Sequence, residues 1–419
     1  MARRWRARAA PAALVVACLT LALAAASPAR AGPGAAGRPG QSIQSLEWWF
    51  TAWDIRSKVW PLTRGAGVTV AVLDSGVQAD LPDLRAAVLP GGDTTGAGTN
   101  GMTDDMEPLG HGTSMAALIA GQGAAGGVLG IAPAAKILPV RVGGDGLPAG
   151  GTDASIAAGI RYAAGHGARV INMSLGGVAP SASACDLVEQ DAVTYALQHN
   201  VVVVAAAGNS HGSGNPPQQP ASCAGVLAVS AVQPSLKLWP DSEQQPYVAV
   251  AAPGGDIASL GADGGNTFGS GTSAACAFVS GEAALVRSRH PSMPWYQVVQ
   301  RIINTALPEG GPAPNDQYGF GIIRIPGAVN AAKYKVPADD PNPVYAAAQA
   351  FLASPQPAPS APSAPAASPA PTRRSPAAAP ASPGSAAGLA AVIAGAVVAV
   401  AGGTALAVAA VRRRGRRHA

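Results

Sequence analysis

The apolar positions fall into two kinds of segment that alternate along the chain. Gly67 to Leu73, Lys136 to Val142, Ala168 to Met173, Val201 to Ala207, Val226 to Val232 and Tyr247 to Ala252 are short, largely apolar runs rich in β-branched residues. A continuous run, rather than an alternating one, predicts a strand buried on both faces, as in a parallel sheet. Between them, Ser114 to Gly121, the stretch opened by Thr152 or Asp153 and running to Gly165, and Cys185 to His199 predict helices. Another helix starts at Gly271 and runs into one from about Pro294 to Ala306. Strands that alternate with helices predict an α/β fold, a doubly wound and mostly parallel sheet with helices on both faces. In such sheets the reactive groups gather beyond the carboxyl ends of the strands. Asp74, Ser174 to Gly177 and Asn209 stand at such ends.

The flanks follow other patterns. Arg3, Arg4, Arg6 and Arg8 precede an apolar run that ends near Ala26, and Ala29-Arg30-Ala31 supplies small residues at a cleavage position, so residues 1–31 predict a secretory signal peptide. Residues 32–60 form an N-terminal arm whose cluster Glu47-Trp48-Trp49-Phe50-Thr51-Ala52-Trp53 places Trp49 and Trp53 on one helical face, ready to pack on the main domain at 61–335. Residues 336–385 read as a stalk, Pro/Ala/Ser-rich from about Ala353, a composition that builds no core. The uncharged stretch within 386–411 is long enough to span a bilayer as a single transmembrane helix, and the arginines of 412–419 follow at once. Clustered arginine favours the cytoplasmic side, which puts the C-terminus in the cytoplasm and the main domain outside it, with the cytoplasmic membrane as a partner.

Charge sharpens this division. Residues 1–40 and 346–419 hold no Asp or Glu and carry 6 and 7 of the 28 Lys and Arg, so 41–345 keep 15 basic against 23 acidic side chains. The middle is an acidic domain without a basic stripe, and nucleic acid is not an expected partner. In an exported domain Cys185 and Cys223, both in loop-like sequence, are expected to form a disulfide. Cys276, inside an apolar helix, reads as a small buried hydrophobe, and no cysteine spacing suggests a zinc site.

The stretch Gly271-Thr272-Ser273-Ala274-Ala275-Cys276 puts a serine at a helix mouth among small residues. Taken alone it is a helix cap. A serine becomes a nucleophile only when a histidine takes its proton and a carboxylate holds the imidazole. Asp74, at a strand end, and His111, at a helix start, supply those types, so Asp74, His111 and Ser273 are the candidate catalytic residues.

These residues resemble the subtilisin-like serine proteases, family S8. Val70-Ala71-Val72-Leu73-Asp74-Ser75-Gly76 looks like the aspartate motif and His111-Gly112-Thr113-Ser114 like the histidine motif. Ala205-Ala206-Ala207-Gly208-Asn209 looks like the oxyanion motif and Gly271-Thr272-Ser273 like the serine motif, all over roughly 60 to 330. The resemblance implies a subtilisin-like serine endopeptidase acting on protein or peptide substrates, with Asn209 as oxyanion donor. It further implies that Ser174, Leu175 and Gly176 pair with an extended substrate, and that Ala206, Ala207 and Gly208 wall the pocket for the residue before the scissile bond. The layout of leader, arm, domain, stalk and anchor is similar to the mycosins, membrane-anchored proteases of type VII secretion, which implies the secretion membrane complex as a partner. A structural subunit of such a complex is the alternative.

Two positions depart from the family pattern. Ala277 stands where proline is usual and Ala117 where glycine is common. No cofactor is expected. Calcium would have to come from Asp93, Asp104, Asp105 and Glu107, which read better as solvated loop acids.

Overall fold

The computed structural model describes residues 42–104, 110–144, 151–181 and 185–354. The leader expected at 1–31, the transmembrane helix expected within 386–411 and the basic tail at 412–419 lie outside them. Among the described residues no helix is long and apolar enough to cross a membrane.

The apolar runs become strands β1 Thr69–Asp74, β2 Gly92–Asp93, β3 Lys136–Arg141, β4 Val170–Met173, β5 Gly177–Val178, β6 Val202–Ala206, β7 Gln218–Gln219, β8 Leu227–Val232, β9 Val248–Pro253, β10 Ile257–Leu260 and β11 Asn266–Gly269. Seven of them form one sheet in the order β2-β3-β1-β4-β6-β8-β9, with every ladder parallel. β1, β4 and β6 are buried almost throughout, as continuous apolar runs require when both faces are covered.

The helices are α1 Trp49–Ala52, α2 His111–Ala120, α3 Asp153–Gly165, α4 Leu187–Gln198, α5 Thr272–Arg289, α6 Trp295–Thr305, α7 Ile325–Val329 and α8 Pro343–Ala353. α3 and α4 pack together on one face, while α2, α6 and α7 gather around α5 on the other. α5 is buried from Thr272 to Arg287 except at Ser273, and it crosses β4, β6, β8 and β9. Its small side chains let it lie that close to the sheet.

The arm packs as expected. Trp49, Phe50 and Trp53 are buried, Trp49 lies 4.9 Å from the Phe278 ring of α5, and the Trp53 indole donates to the Ile323 carbonyl. The Gln44 amide donates to Gly127 O at 3.0 Å and the Glu47 carboxyl accepts from Leu129 N–H at 2.7 Å, so the arm sits beyond the C-terminal end of α2. Glu47 is buried, which pushes its pKa up to about 7 despite the Leu129 hydrogen bond.

Several expectations need correction. α4 starts at Leu187, capped by the Asp186 carboxylate, because Cys185 is held outside the helix by its disulfide to Cys223, with Cα atoms 4.8 Å apart. The β10–β11 hairpin lies in sequence too polar and glycine-rich to read as strand. α8 falls inside the expected stalk at 336–385. It buries Val344 and Ala348 and stacks Tyr345 on Tyr296 of α6 at 4.6 Å, so the folded body runs past residue 335.

Candidate active site

Asp74 is the last residue of β1, and its side chain is 4% exposed. Its carboxylate accepts from Ser75 N–H at 2.9 Å and faces His111, whose Nδ1 lies 2.9 and 3.0 Å from the two carboxylate oxygens. The glycine after the histidine permits that approach. A Cβ on Gly112 would stand 2.0 Å from Gly76 O and 3.0 Å from Asp74 Cβ, so any larger residue would push the start of α2 away from β1. With Nδ1 committed to Asp74, Nε2 is the nitrogen left for proton transfer. Partial burial pushes the His111 pKa down, but the charges of Asp74 and Asp104 more than offset this, and the net shift is upward from 6.5.

Asp104 was expected to be a solvated loop acid. It is instead 5% exposed, directly behind the aspartate–histidine pair. One oxygen lies 2.8 Å from Ser75 Oγ, and the other accepts from Thr113 N–H at 2.8 Å and from Thr113 Oγ1 at 2.7 Å. Burial raises its pKa, with the nearby Asp74 charge adding to the effect. The sequence shows only acids spread along a polar loop, and the packing of residues 101–104 against the segment after β1 is what buries one of them. Asp93 is likewise taken up by its own loop. Burial raises its pKa, but hydrogen bonds from Thr95 and Thr99 more than compensate and leave it below the usual range. Asp105 and Glu107 lie outside the described residues.

Ser273 sits in the first turn of α5. Its hydroxyl donates to the Ser174 carbonyl at 3.0 Å and makes no hydrogen bond to His111, although both side chains line one cavity. In return Ser174 Oγ donates to Ser273 O at 2.8 Å, which ties the helix mouth to the end of β4.

Asn209 lies three residues beyond β6. Its Oδ1 accepts from Thr272 N–H at 2.9 Å and from Thr272 Oγ1 at 2.8 Å, while Thr272 Oγ1 itself accepts from Gly208 N–H at 3.1 Å. Both acceptor directions of the amide oxygen are filled from α5, so the Nδ2 donor is turned the other way, beside Gly271. Cys276 is fully buried, its thiol directed at Asn172 Oδ1, and burial pushes its pKa up to about 12, as expected for an inert thiol.

The expected substrate walls lie at the ends of neighbouring parallel strands, Ser174, Leu175 and Gly176 after β4 and Ala206, Ala207 and Gly208 at the end of β6. No sequence motif marks what lies between them. A Cβ on Gly176 would come 3.6 Å from Gln218 Oε1, and one on Gly208, at φ +117°, would come 2.5 Å from Gln218 Cγ and from Glu243 Cγ. Gln218 therefore closes the slot between the walls, with Glu243 next to it. The Tyr247 hydroxyl fixes it there, accepting from Gln218 N–H at 2.8 Å. Gln218 belongs to no recognisable motif and is brought in by the β5–β7 pairing.

The model of the subtilase family matches residues 65–321, which hold all four candidate catalytic and oxyanion residues. The chain belongs to the subtilase family. It is a subtilisin-like serine-type endopeptidase by that membership, and it is similar to mycosin-3 of Mycobacterium tuberculosis, at 35% identity over 363 residues covering 72% of this chain and 74% of that protein. Fervidolysin of Fervidobacterium pennivorans is 30% identical over 323 residues, 69% of this subtilase but only 44% of fervidolysin's own length. Among solved structures, the serine protease MycP1, described as an essential component of the type VII (ESX-1) secretion system, superposes with a TM-score of 0.61 at 32% identity, covering 70% of this chain and 90% of that one.

Proposed function

We propose that this subtilase is an exported, membrane-anchored endopeptidase that cleaves protein or peptide substrates through Asp74, His111 and Ser273. The observation that carries the reading is the His111–Asp74 pair held beside the serine at the mouth of α5. A rotation about the Ser273 Cα–Cβ bond exchanges its bond to Ser174 O for one to His111 Nε2. His111 then takes the hydroxyl proton as Oγ attacks the substrate carbonyl, and Asp74 stabilises the imidazolium that forms. The oxyanion is received by Asn209 Nδ2 and by Ser273 N–H, which points out of the helix at its positive end. His111 returns the proton to the leaving amine, and water later frees the acyl group by the same route.

The leader and the C-terminal segment read from the sequence support export and a single-pass anchor, with the catalytic domain outside the cytoplasm and the C-terminus within it. Likeness to mycosin-3 and MycP1 supports a place in type VII secretion, with the secretion membrane complex as partner. A serine-directed fluorophosphonate should label the purified protein at Ser273 and leave Ser273→Ala unlabelled. Folded protein that resists labelling would refute the catalytic reading. The Ser273 hydroxyl, turned to Ser174 rather than His111, favours a second reading, a structural subunit of the secretion complex. Full restoration of secretion by Ser273→Ala in a deletion strain would support it.

A further inference from the structure

Beside the Cys185–Cys223 disulfide lies an acid that the peptidase site does not use. Glu189, in the first turn of α4, has no exposed surface, and neither of its carboxyl oxygens has a hydrogen-bond partner among the described residues. Buried polar groups are ordinarily satisfied, so an orphaned carboxyl calls for a partner. The two sulfurs show where that partner belongs. One carboxyl oxygen of Glu189 and both Sγ atoms lie within 4.8 Å of one another. The charges that act on Glu189 come from Asp153 and Asp186, both negative, so the spot attracts a cation.

Breaking the disulfide would leave these groups together. The Gln190 side chain donates to Ala224 O at 3.1 Å and accepts from Ala224 N–H at 2.7 Å. The Gln219 side chain accepts from Asp186 N–H at 3.1 Å and donates to Asp153 Oδ1 at 3.1 Å. These bonds hold the Cys223 loop to the start of α4 without the S–S bond, and a turn of either cysteine about Cα–Cβ then parts the sulfurs. Two thiolates and a carboxylate suit zinc, which takes sulfur at about 2.3 Å and carboxylate oxygen at about 2.0–2.2 Å. Cys185 and Cys223 also line a surface groove of about 770 Å³, which gives a metal and a reductant access to them. Sequence spacing conceals the set, because the cysteines stand 38 residues apart rather than in a close pair.

We propose that Cys185, Cys223 and Glu189 form a zinc site when the disulfide is reduced, with water from the groove as the fourth ligand. A dithiol supplies the two electrons and two protons that convert the S–S bond to two thiols, and it becomes a disulfide itself. Zinc then displaces the ligands' protons to solvent and changes no oxidation state. The ion restores the cross-link between α4 and the segment after β7, so this part of the fold stays tied in either redox state.

The test uses the full-length protein, reduced with dithiothreitol and freed of it under nitrogen. It should take up one cobalt(II) ion per chain and show thiolate-to-cobalt charge-transfer absorption with the strong visible bands of a four-coordinate site. Zinc should abolish that absorption and raise the melting temperature of the reduced protein, and the oxidised protein should show neither effect. Glu189→Gln keeps the side-chain shape and both cysteines, so it can be folded with the disulfide formed before reduction. Its zinc affinity, measured by competition with a chromogenic chelator, should fall about tenfold or more. Cys223→Ser should lose the cobalt absorption, and where that variant does not fold Glu189→Gln decides alone. A reduced parent without cobalt–thiolate absorption, folded or not, overturns the proposal. So does absorption that persists in Cys223→Ser, which would put the metal on another thiol. Equal zinc affinity in the parent and Glu189→Gln removes the carboxylate from the site and overturns it as well.

Discussion

Glu282 allows a quantitative test of how the core is built. It lies in α5 with no exposed surface, and neither carboxyl oxygen has a hydrogen-bond partner among the described residues. Burial pushes its pKa from the ordinary 4.5 up to about 8. Because the folded value lies above the unfolded one, the folded state holds the proton more tightly. The favourable contribution is complete below 4.5, declines as the pH rises, and is gone by about 8. Each pH unit in that window costs about 1.4 kcal/mol, so between pH 4.5 and 7 this residue should remove about 3 kcal/mol, a large share of a typical domain's stability. Glu282→Gln keeps the shape and cannot ionise. In a Ser273→Ala background, which on the proposed mechanism prevents self-digestion, urea unfolding followed by tryptophan fluorescence should show the glutamine variant gaining about 3 kcal/mol on its parent over that pH range. The other buried acids with raised pKa values, Glu47, Asp83, Asp104, Glu189 and Glu243, are common to both proteins and cancel in the comparison. A gap between the two proteins that stays constant from pH 4.5 to 7 would refute the reasoning.

Two further predictions concern the site. Asp104→Asn removes one of the charges that raise the His111 pKa, so the acid limb of the kcat/KM profile should move to lower pH, whereas a purely structural role would lower the profile without moving it. Gln218→Gly empties the slot between Gly176 and Gly208, and cleavage after large apolar residues should rise about tenfold or more relative to cleavage after alanine, measured on peptides that differ only at that position.

The strands that carry the chemistry were legible in the sequence because each is buried on both faces and so appears as an unbroken apolar run. β1, β4 and β6 fall where the runs ending at Leu73, Met173 and Ala207 put them. The motif residues were legible because reaction chemistry restricts their types. α8 was hidden by the neighbouring low-complexity composition, and its place depends on a slot against α6 that exists only in the folded body. The β10–β11 hairpin was hidden because it is short and built around glycine. It nevertheless supplies one wall of the cavity beside Ser273.

Alternation of apolar segments determined the α/β architecture from the sequence alone, since period and burial are local properties of a chain. Residue type and order likewise determined the candidates Asp74, His111, Asn209 and Ser273. Only tertiary structure decided what surrounds them. A polar loop folded back on β1 makes Asp104 a buried partner of the Asp74–His111 pair, and strand pairing brings Gln218 to the wall after β4, which lies far from it in sequence. The hydrogen bonds from Thr272 turn the Asn209 amide. These are contacts between distant segments, and their geometry is fixed by packing that no local pattern records.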